Sequence, residues 1–158
     1  MISIQQSKFG KGLFASIDIP KNTIVARVTG SPMNFAGTLE LGEKESHTLQ
    51  IGPDQYILCD PPFLYSNHSC NPNCGLTPNL GLKTLKNIRQ GQELLWDYST
   101  SMLERHWTMP CNCGSANCRH IIRDFDLLPE KLQARYIRLD IVQPFILEKM
   151  KEPVYVTR

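Results

Sequence analysis

Short apolar runs, each closed by Gly, Pro or Asn, punctuate the first hundred residues of the chain, a rhythm that favours strands over a helical bundle. The segments Gly12 to Ser16, Thr23 to Val28, His47 to Ile51, Gln55 to Cys59, Gly81 to Thr84 and Glu93 to Trp96 are the expected strands. Between them, Ile19-Pro20-Lys21-Asn22, Gly52-Pro53-Asp54 and Arg89-Gln90-Gly91-Gln92 supply turn chemistry: proline presets φ, and glycine and asparagine accept positive φ. From Asp126 the period changes. Leu128, Leu132, Tyr136 and Leu139 recur at helical spacing, and Pro129 suits a first helical turn. The pattern predicts a helix of about fourteen residues, ended or kinked by Pro144, then a short second helix to about Met150. Its apolar face at Leu132, Tyr136 and Leu139 packs either on its own domain or on a second copy of the chain, so monomer and homodimer both stay open. The expected fold class is mainly β with C-terminal helices, and no chemistry is expected in the helical tail.

Composition changes this picture little. At 158 residues the chain is long enough for one domain with a sizeable core and too short for two ordinary ones. A hydrophobic fraction of 41% with 20% charged residues is that of a globular protein, and a net charge of +2 is too weak to argue for direct nucleic-acid binding. Met1 to Gly12 is polar and carries no apolar signal segment, and no stretch approaches the roughly eighteen apolar residues of a membrane span. The expected location is intracellular, cytoplasmic or nuclear, with no membrane partner. In a reducing compartment the six cysteines read as metal ligands more readily than as disulfides, since three of them fall within eight positions.

Three segments carry candidate chemistry. Gly10-Lys11-Gly12-Leu13-Phe14-Ala15 places two glycines at the entry to a strand, where a ligand could approach bare backbone; a glycine-softened turn gives the same pattern. Asn67-His68-Ser69-Cys70-Asn71-Pro72-Asn73 reads either as an Asx-rich turn closed by Pro72 or as a polar site loop, and Cys70 inside it favours the site. Gly91-Gln92-Glu93-Leu94-Leu95-Trp96-Asp97-Tyr98 is a strand ending in two aromatics and an acid. Cys70 together with Cys111-x-Cys113-Gly114-Ser115-x-x-Cys118 offers four thiolates, enough for a closed tetrahedral zinc site. Cys59 and Cys74 are left over and read as small buried hydrophobes.

In this order and separation the segments resemble the SET-domain protein-lysine N-methyltransferases, the class V methyltransferases, and the cysteine cluster resembles their post-SET zinc motif. The family's Asn-His-Ser-Cys-x-Pro-Asn is matched at Asn67 to Asn73, its Glu-Leu-x-aromatic-Asp-Tyr at Glu93 to Tyr98, and its Cys-x-Cys-x4-Cys at Cys111, Cys113 and Cys118. The resemblance covers about Ile2 to Arg123. It implies a SET domain over residues 1–100, a post-SET motif over 109–123 and a helical extension over 126–150. It implies small curled sheets in which the Asn-His-Ser-Cys and Asp-Tyr segments cross in a pseudoknot, a rare kind of threading. The implied cofactor is S-adenosylmethionine, released as S-adenosylhomocysteine, with contacts from Lys11, Gly12, Leu13, Asn67, His68 and Tyr98. Tyr98 matches the catalytic tyrosine, Tyr65 and Trp96 would line the substrate channel, and Ile121 and Ile122 would cover the adenine. Structural Zn2+ would be held by Cys70, Cys111, Cys113 and Cys118. The implied partner is a protein or peptide carrying a lysine, histones among the candidates.

The residue types suit that chemistry. A lysine amine attacks only when neutral, and deprotonation from a pKa near 10.4 costs about 4.6 kcal/mol at pH 7. A narrow apolar channel beside a sulfonium lowers that pKa, so no dedicated general base is required. Four thiolates leave no open metal position, which opposes a zinc hydrolase. The alternative from another class is a non-catalytic, zinc-stabilised peptide-binding module.

Some positions depart from the family pattern. Trp96 stands where Phe or Tyr is usual, and a larger ring points to monomethylation. Leu64-Tyr65-Ser66 replaces a segment that often carries Arg-Phe, leaving Lys11 as the candidate cation for the cofactor carboxylate. Val28-Thr29-Gly30 replaces Tyr-x-Gly, and His120 stands where glycine is frequent, which puts the turn after Cys118 in question. The stretch from Gly30 to Asn67 is short and no cysteine-rich module precedes the domain, so the chain reads as close to a minimal catalytic unit.

Overall fold

In the computed structural model, which describes residues 1–152, the β-rich part of the chain is divided among five small sheets instead of one large one. Strands β1 (Ile2–Ser7) and β2 (Gly10–Ala15) form an antiparallel hairpin with Ile4 opposite Leu13. Strands β3 (Ile24–Arg27), β8 (Cys74–Leu76) and β9 (Gly81–Thr84) form a sheet with β9 in the middle. In a second three-stranded sheet β6 (Gln55–Cys59) lies between β4 (Gly30–Met33) and β5 (Thr48–Gly52). The short helix α1 (Phe35–Leu39) follows β4, capped by the Asn34 side chain, which accepts the Gly37 N–H. Strand β7 (Asn67–His68) runs parallel to β10 (Leu95–Trp96), and β11 (Met109–Pro110) pairs with β12 (Ile121–Ile122) around the cysteine loop.

All six expected strands form, to within two residues at each end; Glu93 lies just outside β10 and bridges Phe14. The pattern did not reveal β7, β8, β11 and β12, which are two or three residues long, too short for alternation to register. Nor did it reveal β1, whose Ile-Ser-Ile-Gln-Gln-Ser is mostly polar, or β4, which contains Gly30 and Pro32 and tolerates the proline as an edge strand.

The helical tail differs from the expected fourteen residues. After a 3-10 turn at Phe125–Leu127, α2 spans only Glu130–Arg138, with Pro129 at its N-cap. Asp140, at φ 55°, ends α2 before Pro144 is reached. Pro144 instead opens α3 (Pro144–Lys151), at a position where its missing N–H leaves no bond unmade. Among the described residues no helix is long and apolar enough to cross a membrane.

The main core joins the hairpin to the sheets through Leu13, Ile19, Leu76, Leu82, Ile88 and Leu94, all essentially sealed from water. A second core of Phe125, Tyr136, Ile141, Phe145 and Ile146 fastens the tail to the domain; on the α2 face Tyr136 is fully buried against its own chain, and Leu132 and Leu139 are partly buried beside it. The fit there is close: a Cβ on Gly75 of β8 would lie 2.4 Å from Cγ2 of Ile141, in the α2–α3 connection.

Candidate functional site

The parallel β7–β10 pair sets two motif segments side by side, with Asn67 opposite Leu95 and His68 opposite Trp96. Beside them lies a basin of about 490 Å³, within the roughly 300–1,000 Å³ usual for small-molecule sites. One wall is Phe9 and Lys11 of the β1–β2 hairpin; the other is the loop from Met109 to Cys113, with Ile122. Lys8 at the hairpin tip donates to the Asn112 carbonyl at 2.8 Å, tying the two walls together.

Of the expected cofactor residues, Lys11, Asn67, His68 and Tyr98 border this basin, whereas Gly12 and Leu13 do not; the Leu13 side chain is fully buried in the core. Gly12 serves by its smallness. A Cβ there would sit 2.3 Å from Glu93 Oε1 and 3.1 Å from Asn67 Nδ2. The Asn67 amide nitrogen faces three acceptors, Glu93 Oε1 at 2.8 Å, the Lys11 carbonyl at 3.0 Å and Ser7 Oγ at 3.1 Å. That setting fixes which end of the amide is nitrogen and leaves its carbonyl oxygen for other partners. The Lys11 ammonium lies 5.0 Å from the centre of the Tyr65 ring, a cation–π distance. Of the adenine candidates, Ile122 lines the basin and Ile121 does not.

A narrower cavity of about 80 Å³ adjoins the basin, and the two share Ser46, His47, Leu64, Tyr98 and Trp107. Tyr56, Phe63, Trp96, Tyr98 and Trp107 supply its aromatic lining, and no lysine or arginine lines it among the described residues. Of the two expected channel aromatics only Trp96 is here. Tyr65 lines the outer basin instead, at the end of the 3-10 turn Phe63–Tyr65, where it pairs with Lys11. The Trp96 indole N–H donates to Ser66 Oγ at 3.0 Å, and its ring lies 4.8 Å from that of Tyr98. The Tyr98 hydroxyl donates to the Ser66 carbonyl at 2.8 Å. Burial, then the charge of Glu93, holds this phenol above its usual range, so it stays protonated and keeps its oxygen lone pairs as acceptors.

The sulfurs of Cys70, Cys111, Cys113 and Cys118 all lie within 4.8 Å of one another, with Cys70–Cys111 at 3.8 Å and Cys111–Cys118 at 3.7 Å. Sulfurs about 2.3 Å from a tetrahedral zinc are about 3.8 Å apart, so the cluster fits a four-thiolate zinc site. Cys59 and Cys74 lie elsewhere, buried in the main core. His120 takes φ 62°, so the turn after Cys118 adopts the left-handed conformation a glycine would supply.

The sequence profile described as the SET domain matches residues 10–99, more than half of the chain. The chain belongs to the SET-domain family. It is 29% identical over 132 residues to an H3 lysine-36 specific histone-lysine N-methyltransferase of Mycosarcoma maydis, a match covering 73% of this chain and 14% of that protein. It is 28% identical over 127 residues to histone-lysine N-methyltransferase trr of Drosophila melanogaster, covering 70% and 5%. Against histone-lysine N-methyltransferase SETD2 of Mus musculus it is 31% identical over 133 residues, covering 73% and 5%. The chain thus spans a small part of the length of these relatives.

Around the SET-domain motifs lie residues whose place the sequence did not reveal. His68 is buried, with its ring turned inward: Nδ1 accepts the Tyr98 N–H at 3.2 Å, so the proton sits on Nε2, 3.4 Å from Cys70 Sγ. Burial outweighs the neighbouring Asp97 and lowers its pKa to about 4, so the ring is neutral near pH 7. Asp97, 1% exposed, accepts from Arg119 Nη2 at 2.8 Å, from the Tyr136 hydroxyl at 2.9 Å and from the Ser99 N–H at 3.2 Å. Arg119 directly follows the last cysteine of the cluster, and its own N–H points at Cys70 Sγ, 3.3 Å away. The helical tail, expected to carry no chemistry, therefore reaches the residue next to Tyr98. Only an acid at the end of an apolar strand and a tyrosine on an apolar helix face hinted at this pairing.

Proposed function

We propose that this SET domain transfers a methyl group from S-adenosylmethionine to the ε-amine of a lysine in a protein substrate, as a class V methyltransferase. The observation that carries the reading is a pair of adjoining cavities that share Tyr98 in their lining. One is a basin of cofactor size, the other a narrow aromatic cavity suited to a lysine side chain. The cofactor supplies an electrophilic methyl on a positive sulfonium. Asn67, with its amide oxygen free, and Lys11 would hold its amino-acid end, and the rim at His68 and Ile122 its adenine. The Tyr98 oxygen orients the amine and the methyl, and the Ser66 carbonyl fixes that oxygen in place. Desolvation against the aromatic part of the lining disfavours the ammonium form of an entering lysine, while the carboxylates of Glu45 and Glu104, also in the lining, favour it. Zinc on the four cysteines would act structurally, closing the loop that forms one basin wall. The proposed units are the SET domain at 1–100, the post-SET motif at 109–123 and the helical extension at 126–150. A histone is the first substrate to try, because the similar proteins are named for histone lysines; the proposed location is cytoplasmic or nuclear.

The test is calorimetric titration of the zinc-replete protein with S-adenosylmethionine, followed by transfer of labelled methyl groups to core histones and to lysate proteins. Wild type is expected to bind and to yield methyllysine. Asn67→Ala is expected to weaken binding by about tenfold or more, and Tyr98→Phe to bind normally while transferring at least about a hundredfold more slowly. Failure of the wild type to bind would overturn the reading in favour of a peptide-binding module. Trp96 crowds the inner cavity, so the product is expected to be monomethyllysine, and Trp96→Phe should admit a second methyl. Mass spectrometry of the product distinguishes them, and trimethyllysine from the wild type would contradict the crowding argument.

A further inference from the structure

We propose that Arg119 and Tyr136 are positioning residues for Tyr98, acting through the buried carboxylate of Asp97. The helix α2 and the end of the cysteine loop, both outside the matched segment 10–99, thereby set the rate of methyl transfer. This rests on the methyltransferase reading above. Asp97 precedes Tyr98 directly, and its Oδ1 accepts the Ser99 N–H that starts the 3-10 turn Tyr98–Ser101. The orientation of that carboxylate therefore governs how the backbone leaves Tyr98. Three separate segments hold it. The turn itself provides Ser99; the cysteine loop provides Arg119, whose Nη2 donates to Oδ1 at 2.8 Å while Nη1 lies 2.8 Å from Oδ2 as an ion-pair contact without hydrogen-bond geometry; α2 provides the Tyr136 hydroxyl, 2.9 Å from Oδ2. The side chain of Asp97 is sealed from water and Tyr136 is fully buried, so solvent cannot replace a lost donor. Removing one leaves the carboxylate to find another orientation, and displacements on the order of 1 Å at a reacting group are costly to rate.

The experiment compares the zinc-replete full chain with Tyr136→Phe and Arg119→Lys. Leu132→Ala serves as a control that loosens α2 packing without touching Asp97. Methyl transfer to core histones, or to the lysate protein that accepts most label, gives kcat and KM. The backbone amide signal of Tyr98 in the nitrogen–proton NMR spectrum gives a readout independent of turnover. Tyr136→Phe is expected to lower kcat by about tenfold with KM for S-adenosylmethionine within about twofold and zinc content unchanged, and to shift the Tyr98 amide. Arg119→Lys keeps the charge but not the fork and should fall between Tyr136→Phe and wild type. Leu132→Ala should lower the melting temperature while leaving kcat and that amide in place. An unmoved amide with unchanged kcat in Tyr136→Phe, or an equal loss of kcat in Leu132→Ala, would overturn the proposal. A wild type that methylates nothing would overturn the methyltransferase reading instead, while the amide shift would still report whether α2 holds Tyr98.

Discussion

Single atoms decide much of the basin. The hydrogen atom that serves as the side chain of Gly12 is what lets Glu93 reach the Asn67 amide, since a methyl group there would sit 2.3 Å from the carboxylate oxygen. Gly12→Ala is therefore expected to cost about 1–3 kcal/mol of stability and to weaken S-adenosylmethionine binding by about tenfold. Denaturant titration and calorimetry on the same sample would check both, and unchanged affinity would mean that Glu93 swings aside without disturbing Asn67. Residues of this kind divide sharply in how far the sequence discloses them. Asn67, Tyr98 and the four clustered cysteines stand out because few packed cores would choose those types at those spacings. Glu93, Ser66 and Arg119 do not, because each matters only through a partner between 22 and 32 positions away. Nothing local distinguishes a half-buried arginine that braces a carboxylate from a solvated one.

Among elements, the cysteine loop is the one whose order, on the zinc reading proposed above, depends on something outside the polypeptide. Its strands β11 and β12 are two residues each, and its small core of Cys70, Met102, Cys111 and Ile122 is half sulfur ligands. Metal removal is expected to unfold this loop first, because little else pays for its order. Since the loop forms one basin wall and carries the Asn112 carbonyl that receives Lys8, cofactor affinity should fall by tenfold or more on chelation and return on adding zinc. Calorimetric titration before chelation, after it and after restoring zinc measures this; affinity indifferent to metal would show that the hairpin and β7 hold the cofactor unaided. The longer strands of the main core, β2, β3, β5, β6 and β9, were legible from apolar alternation and turn residues, whereas β8 was not. The helices were legible in kind but not in extent, because the stop at Asp140 is a left-handed residue with no glycine to announce it.

Over the whole molecule, two core thiols make stability sensitive to alkali. Burial pushes Cys59 and Cys74 from 9.0 up to about 12, with Asp60 adding to the effect at Cys59 and Lys86 opposing it at Cys74. Between those limits the unfolded chain has released these protons and the folded chain still holds them, so stability falls as pH rises from 9.0 towards 12. Each thiol contributes at most about 1.4 kcal/mol per pH unit. Urea midpoints at pH 8 and pH 10 should differ in that direction, and Cys74→Ala should lessen the difference. An unchanged midpoint would show that the thiols ionise in place. The tail adds a consequence of another kind. Synthesis runs from the N-terminus, and the segment that matches the SET-domain profile is complete at residue 99, but the cysteine cluster, Arg119 and Tyr136 come later. A nascent chain still held by the ribosome at that stage carries the whole SET-domain match while the carboxylate beside its key tyrosine waits for two of its donors. On the reading proposed above, the domain comes into full activity only after α2 has left the ribosome, a built-in delay between being recognisable and being competent.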